Sequence, residues 1–256
     1  RGPMNIGDRW TGTGTFTFTN NASGVIRSVN NANVQIGSLG IPGGTANYAN
    51  ITNDGLIDVQ SGTTRFNIGF SGAPGGGSFT NRGTIQVASG AAVDFGGPAT
   101  FAAGSTITGP GTLSTSLGAN VRLEGAFGLT GSVVVPAGTL TFAAPVTAAV
   151  SNLQVTGGTV NTDTTARVEA LTLSGGRLGG PGVMTVADTG TWTGGVLGGR
   201  LRVADGAVLT ASGGGGGKAL DGATLDNQGT IDIDAPTIDV ARASTWNNAG
   251  TTDIRT

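Results

Sequence analysis

The 256 residues include no cysteine and no histidine. Without a thiol the chain has no disulfide framework, no redox couple and no thiolate-bound metal. Without an imidazole, Ser-His-Asp and Cys-His catalysis and histidine-ligated zinc are excluded. Positive charge is also thin: Lys218 is the single lysine and only 11% of residues are charged, with a net charge of −2. No basic run or basic-aromatic interleaving exists, so nucleic acid is not an expected partner. No apolar segment approaches the ~20 residues needed to cross a bilayer, so no membrane insertion is expected of this segment. The opening "RGPMNIGDRW" has no signal-peptide pattern, and Arg1-Gly2-Pro3 ahead of Met4 reads as a remnant of expression.

What is present is glycine, at 49 residues, with abundant threonine and 37% apolar residues. The glycines follow no G-x-y period, which excludes collagen, and the Val, Leu and Ile content argues against disorder. No window of a dozen residues carries a 3.6 period free of glycine, so helix is not expected; Ala143 to Leu153, the nearest candidate, contains Pro145. The composition is that of an all-β chain with many tight turns.

Internal repeats decide the architecture. "LQVTGGTV" from Leu153, "LTLSGGRL" from Leu171 and "GTWTGGVL" from Gly190 align at offsets of 18 and 19 residues. Their apolar columns are Leu153/Leu171/Gly190, Val155/Leu173/Trp192 and Val160/Leu178/Leu197. A second element, Asn-x-Gly before a short alternating strand, begins at Asn53, Asn81, Asn227 and Asn248. A third, G-P-G-x-[LM], begins at Gly109 and Gly180. Short strands bury one face by alternation, while Gly pairs, Asn-x-Gly and Gly-Pro are expected to turn corners in left-handed or tight conformations. A period near 20 fits a coil of two or three short strands, stacked as parallel strands about 4.8 Å apart. About a dozen coils would give a rod on the order of 60 Å long. The expected fold is therefore a parallel β-solenoid with coils of about 18–28 residues. An antiparallel β-sandwich is the alternative, but it does not account for the matched columns.

The run "LTLSGGRLGGPGVMTVADTGTWTGGVLGGRLRVADGAVLTASGGGGGKALDGATLDNQGTIDI" resembles the glycine- and threonine-rich β-repeats of large bacterial surface proteins. Autotransporter passengers and filamentous-haemagglutinin-like adhesins are of this kind. The resemblance covers most of Ile51 to Thr256 and implies a right-handed parallel β-helix, secreted and displayed at the cell surface. No N-P-N-G motif of a two-partner secretion domain occurs, so an internal stretch is expected. Residues 49–256 read as solenoid repeats. Residues 1–48 read as an N-terminal strand or capping segment continuous with the rod. Because "WNNAGTTDIRT" is an ordinary repeat unit, the chain is expected to continue past Thr256.

Parallel β-helices also house pectin-degrading enzymes, and Asn161-Thr162-Asp163 echoes the N-T-D of polygalacturonases. The Asp pair and the histidine of that family are missing, so no enzymatic activity and no catalytic residue are expected. Asp221, Asp226, Asp232, Asp234 and Asp239 supply oxygen ligands of the kind calcium takes. Their spacing matches neither an EF-hand nor a G-G-x-G-x-D repeat, and solvated carboxylates are the simpler reading. No cofactor is expected. "SGGGGGKALDG", Ser212 to Gly222, lacks the G-K-[ST] ending of a phosphate loop, so it reads as a flexible corner with Lys218 as a surface charge. Trp192 falls in a buried column, Trp246 precedes a corner, and Trp10 has no repeat context.

"TGTGTFTFTN", Thr11 to Asn20, alternates threonine with Phe16 and Phe18, the signature of a half-buried edge or capping strand. The outward positions Gln154/Thr156, Thr172/Ser174 and Thr191/Thr193 would stack into a short ladder of hydroxyls. Three readings of function follow. The first is a structural shaft or adhesin segment of a secreted surface protein, with host or matrix glycan or protein and neighbouring segments of the same chain as partners. The second is a carbohydrate-active β-helix, and the third an ice-binding module. Gly40–Gly44 and Phe70–Gly77 break the repeat and read as inserted loops.

Overall fold

The computed structural model describes residues 4–6, 15–29, 33–37, 48–68, 77–116, 118–143, 147–213 and 217–255. Gly40–Gly44, most of Phe70–Gly77, Trp10 and Thr11–Gly14 lie outside them. The described residues contain β-strands and no helix. Every pairing between those strands given below is parallel, so the antiparallel sandwich does not apply and the fold is a parallel β-solenoid. The chain forms two compact units, Arg1–Gly131 and Ser132–Thr256.

In the first unit each full coil carries three short strands, one per face. The second coil is Tyr48–Asn53, Leu56–Val59 and Thr63–Asn67; the third is Ser78–Asn81, Thr84–Val87 and Ala92–Phe95. The threonine-rich strand Thr15–Asn20 belongs to the first coil and pairs along its whole length with Tyr48–Asn53. Thr15, Thr17 and Thr19 are exposed and Phe16 and Phe18 half-buried, their rings stacked at 6.3 Å. The alternation read from the sequence thus describes this strand.

The core of this unit is built from columns of like residues. Ile57, Ile85 and Ile107 occupy one column in register and are buried. Phe66, Phe79, Phe95 and Phe101 form an aromatic cluster with centroids 4.6–6.2 Å apart, a range favoured by offset and edge contacts. Stacked polar residues line the corner after the Tyr48–Asn53 face. Asn20 Nδ2 donates to Asn53 Oδ1, and Asn53 Nδ2 to Asn81 Oδ1, each at 2.7 Å. The same amides also reach backbone carbonyls, so a corner that would strand peptide groups inside the core has its acceptors filled. Separations of 33 and 28 residues along this column show that added length falls between strands while the register holds.

The glycine of Asn-x-Gly serves close approach and not a left-handed turn. Gly55 and Gly83 have no positive φ; a Cβ on Gly55 would lie 2.3 Å from Gly24 O, and one on Gly83 2.1 Å from Gly55 O. The corners pack backbone on backbone. In the G-P-G elements the expectation holds for the first glycine only, since Gly109 and Gly180 have φ of +114° and +95°. Gly83→Ala is expected to force the second and third coils apart and cost about 1–3 kcal/mol, read as a lowered urea midpoint.

The second unit stacks long strands against short ones. Thr147–Val155, Thr165–Leu173 and Val183–Trp192 pair in order, alternating along the chain with Thr159–Thr162, Arg177–Gly179 and Gly195–Leu197. The three apolar columns read from the sequence are the registers observed: Leu153↔Leu171↔Gly190, Val155↔Leu173↔Trp192 and Val160↔Leu178↔Leu197. The change of offset from 18 to 19 residues has a local cause. Val168 pairs with Val186 but Ala170 with Thr189, so the later strand carries one extra residue as a bulge. The next coil divides the long strand at the turn of Asp205 and Gly206 into Arg200–Val203 and Val208–Ser212, and both halves still pair with Val183–Trp192.

Candidate functional site

Outward positions on these sheets carry the polar chemistry. The hydroxyl ladder of the second unit is present: Gln154, Thr172 and Thr191 are register neighbours, and Thr210 extends it before Asp232 and Asp253 replace hydroxyl with carboxylate. A longer threonine column, Thr19, Thr52, Thr80 and Thr100, runs up the first unit. Its unequal spacing along the chain hid it from a fixed-period search.

The five aspartates considered for calcium are not brought together. Asp221 is flanked by Arg177 at 3.1 Å and Arg242 at 3.0 Å, and Asp226 accepts from Asn247 Nδ2 at 2.6 Å. Asp232 faces Arg255 at 3.3 Å, while Asp234 and Asp239 are exposed on separate strands. Among the described residues no three Asp or Glu side chains converge as a cation site. Arg177 reaches Asp221 from two coils away by lying over Gly198, where a Cβ would sit 1.9 Å from its Nη2. Asn161-Thr162-Asp163 forms the end of a short strand and its corner, with Thr162 buried.

Lys218 is not a surface charge. It is 2% exposed, and its Nζ donates to Gly213 O at 2.6 Å. The reason is parity: Lys218 alternates with Ala219 and shares the inward side with Leu220, which stacks on Leu197 in the core. The pattern Lys-x-Leu at the start of a strand was the available signal. Lys218→Met keeps the volume and removes the buried charge, so stability is expected to hold within about 1 kcal/mol or to rise, measured by thermal denaturation.

Trp192 is buried in its expected column and its Nε1 donates to Gly195 O at 3.2 Å. Trp246 stacks on Leu225 and is half-buried. The Trp192 ring is enclosed and is not presented as a platform for a sugar.

Two arginine–aspartate pairs of the first unit instead join successive coils. Arg27 Nε meets Asp58 Oδ2 at 2.8 Å on one face, and Arg65 Nε meets Asp94 Oδ2 at 2.7 Å on another. Both pairs are register neighbours, the arrangement in which opposite charges support a sheet. The Asp94 side chain is 5% exposed and also accepts from Ser116 Oγ at 2.8 Å. Beside Arg65 the surface sinks into a groove of about 170 Å³ lined by Asn33, Val34, Gln35, Thr63 and Arg65. Two adjacent strands present it: Gln35 is the register partner of Arg65, and Asn33 Oδ1 accepts from Thr63 N at 3.3 Å. Sequence reading did not find this groove, because its two halves lie 30 residues apart across a stretch without repeat.

No known protein family, curated protein or solved structure matches the chain.

Proposed function

We propose that this chain is a structural shaft segment of a large secreted bacterial surface protein, of the autotransporter or filamentous-haemagglutinin-like kind. It would display or make contacts with host or matrix glycans and proteins, and it would work without catalysis. The observation that carries the reading is the parallel register of the described strands within each unit, kept through one bulge while coil length varies. Each coil is held by backbone bonds to the next and by a core shared with it, the arrangement that gives a stacked repeat its stiffness. The buried carboxylate of Asp94 agrees with this role, since it is engaged by Arg65 and by the Ser116 hydroxyl.

The test is immunolabelling of intact source cells with antibody against the folded chain. Labelling without permeabilisation is expected, together with retention of chain-coated beads on extracellular matrix or host cells. Labelling only after lysis would overturn the surface assignment. Release of reducing ends from an acidic polysaccharide by the purified chain would replace this reading with the carbohydrate-active one.

A further inference from the structure

We propose that the groove at Asn33, Gln35, Thr63 and Arg65 binds a single carboxylated sugar ring, a uronic acid unit of an acidic glycan. This goes beyond the shaft reading and does not depend on it. Three features carry it.

The first is a pre-set guanidinium. Arg65 spends its Nε on Asp94, whose carboxylate is fixed by Ser116 and almost fully buried. Its Nη1 and Nη2 have no protein partner among the described residues and belong to a side chain that lines the groove. A guanidinium held by one edge offers its remaining N–H groups as a fork whose geometry matches a carboxylate.

The second is an excess of donors. Besides Arg65, the groove holds the Nδ2 of Asn33, whose Oδ1 is already used by Thr63 N, and the carboxamide of Gln35, which has no protein partner among the described residues. Gln35 Oε1, the Thr63 hydroxyl and the second lone pair of Asn33 Oδ1 are the side-chain acceptors, fewer than the N–H donors. Such a set fits an acceptor-rich ligand: a carboxylate on Arg65, with ring and hydroxyl oxygens on the amides.

The third is size and charge. At about 170 Å³ the groove is roughly half the lower limit of drug-sized sites, near 300 Å³, so it suits one ring and not an oligomer. Asp94 behind Arg65 brings the local net charge to zero, which disfavours a dianion such as phosphate and leaves a singly charged, hydroxylated ligand as the better match. Gln35, Thr63 and Arg65 stand on two hydrogen-bonded strands and Asn33 directly precedes one of them, so the site exists before the ligand arrives.

The probe is methyl β-D-glucuronide, titrated into the intact chain and followed by side-chain ¹⁵N resonances. Methyl β-D-glucoside, acetate and inorganic phosphate serve as comparators. Saturable shifts of Arg65 Nε and the Gln35 amide are expected with the glucuronide, at least ten-fold weaker with the glucoside and with acetate. Gln35→Ala, at a half-buried outward position of its strand, is expected to weaken binding at least three-fold while leaving the thermal midpoint within a few degrees. Arg65→Lys keeps a charge opposite Asp94 but loses the fork, and is expected to weaken it ten-fold. Absence of saturable shifts overturns the proposal. So does equal binding of acetate or phosphate, which would mark a simple anion site, or equal binding of the glucoside.

Discussion

Asn53→Asp is expected to destabilise the first unit by about 3–5 kcal/mol at neutral pH, the cost of a buried charge without a partner. Asn53 is fully buried, receives Asn20 Nδ2 on its Oδ1 and gives its own Nδ2 to Asn81 Oδ1. Aspartate keeps the acceptor and loses the donor, so a carboxylate oxygen would face the Asn81 carboxamide oxygen. Protonating the new group restores a donor, and burial beside that oxygen raises its folded-state pKa above the unfolded value near 3.9. The sign follows: the deficit relative to the unaltered protein is full above the raised pKa. It shrinks as pH falls through that value and is smallest below about 3.9. Asn53→Ala removes the amide without adding a charge and is expected to cost less, about 1–3 kcal/mol, with little pH dependence. Urea unfolding of the three proteins at several pH values checks all of this. A deficit in Asn53→Asp that does not change with pH would show that the donor to Asn81 carries little.

Trp192→Ala is the second large effect, at about 3–5 kcal/mol, the range for deleting a buried aromatic. Trp192 is 1% exposed and stacked between Leu173 and Ala211, and Gly190 two residues earlier sits where a Cβ would meet Leu209 Cδ1 at 2.6 Å. Indole and glycine therefore share one coil's allotment of space, with small Ala211 above the large ring and large Leu209 above the missing side chain. Truncating the tryptophan empties a site that its rigid, hydrogen-bonded neighbours cannot close. Trp192→Phe keeps most of the ring and loses the bond to Gly195 O, so about 1 kcal/mol beyond the lost volume is expected. Denaturation monitored by far-UV circular dichroism gives the comparison. Equal midpoints for the unaltered protein and Trp192→Ala would mean that the column relaxes.

The central coils were legible because their period is nearly constant. Leu153, Leu171 and Gly190 recur at offsets that differ by one bulged residue, and alternation then fixes which side of each strand is inside. The Asn-x-Gly elements at Asn53, Asn81, Asn227 and Asn248 were legible as corners, although the amide ladder through Asn53 and Asn81 was not. Its first member, Asn20, is followed by Gly24 and not by a glycine two residues on, so spacing gave no reason to include it. A hydrogen bond between coils depends on position in three dimensions, where a chain distance of 33 or 28 residues makes no difference. The same limit hid the groove at Arg65. Lys218 was misread for a different reason: its charge was weighed above its place in the alternation, and the inward parity shared with Leu220 prevails because a carbonyl is within reach.

The recurrence of Thr-Ile at Thr84-Ile85 and Thr106-Ile107, each on the same face and in the same register, makes the two turns interchangeable in that column. Excising residues 84–105 would join Gly83 to Thr106 and lay Ile107 over Ile57, so an isoleucine still follows an isoleucine in that column. The same excision removes Asp94 from Arg65 and Phe95 and Phe101 from the aromatic cluster, so the column of isoleucines survives the loss of a turn while the ion pair and the cluster do not. A change in the number of turns is therefore tolerated column by column: where like residues recur the stack closes again, and elsewhere the new neighbours must be accommodated.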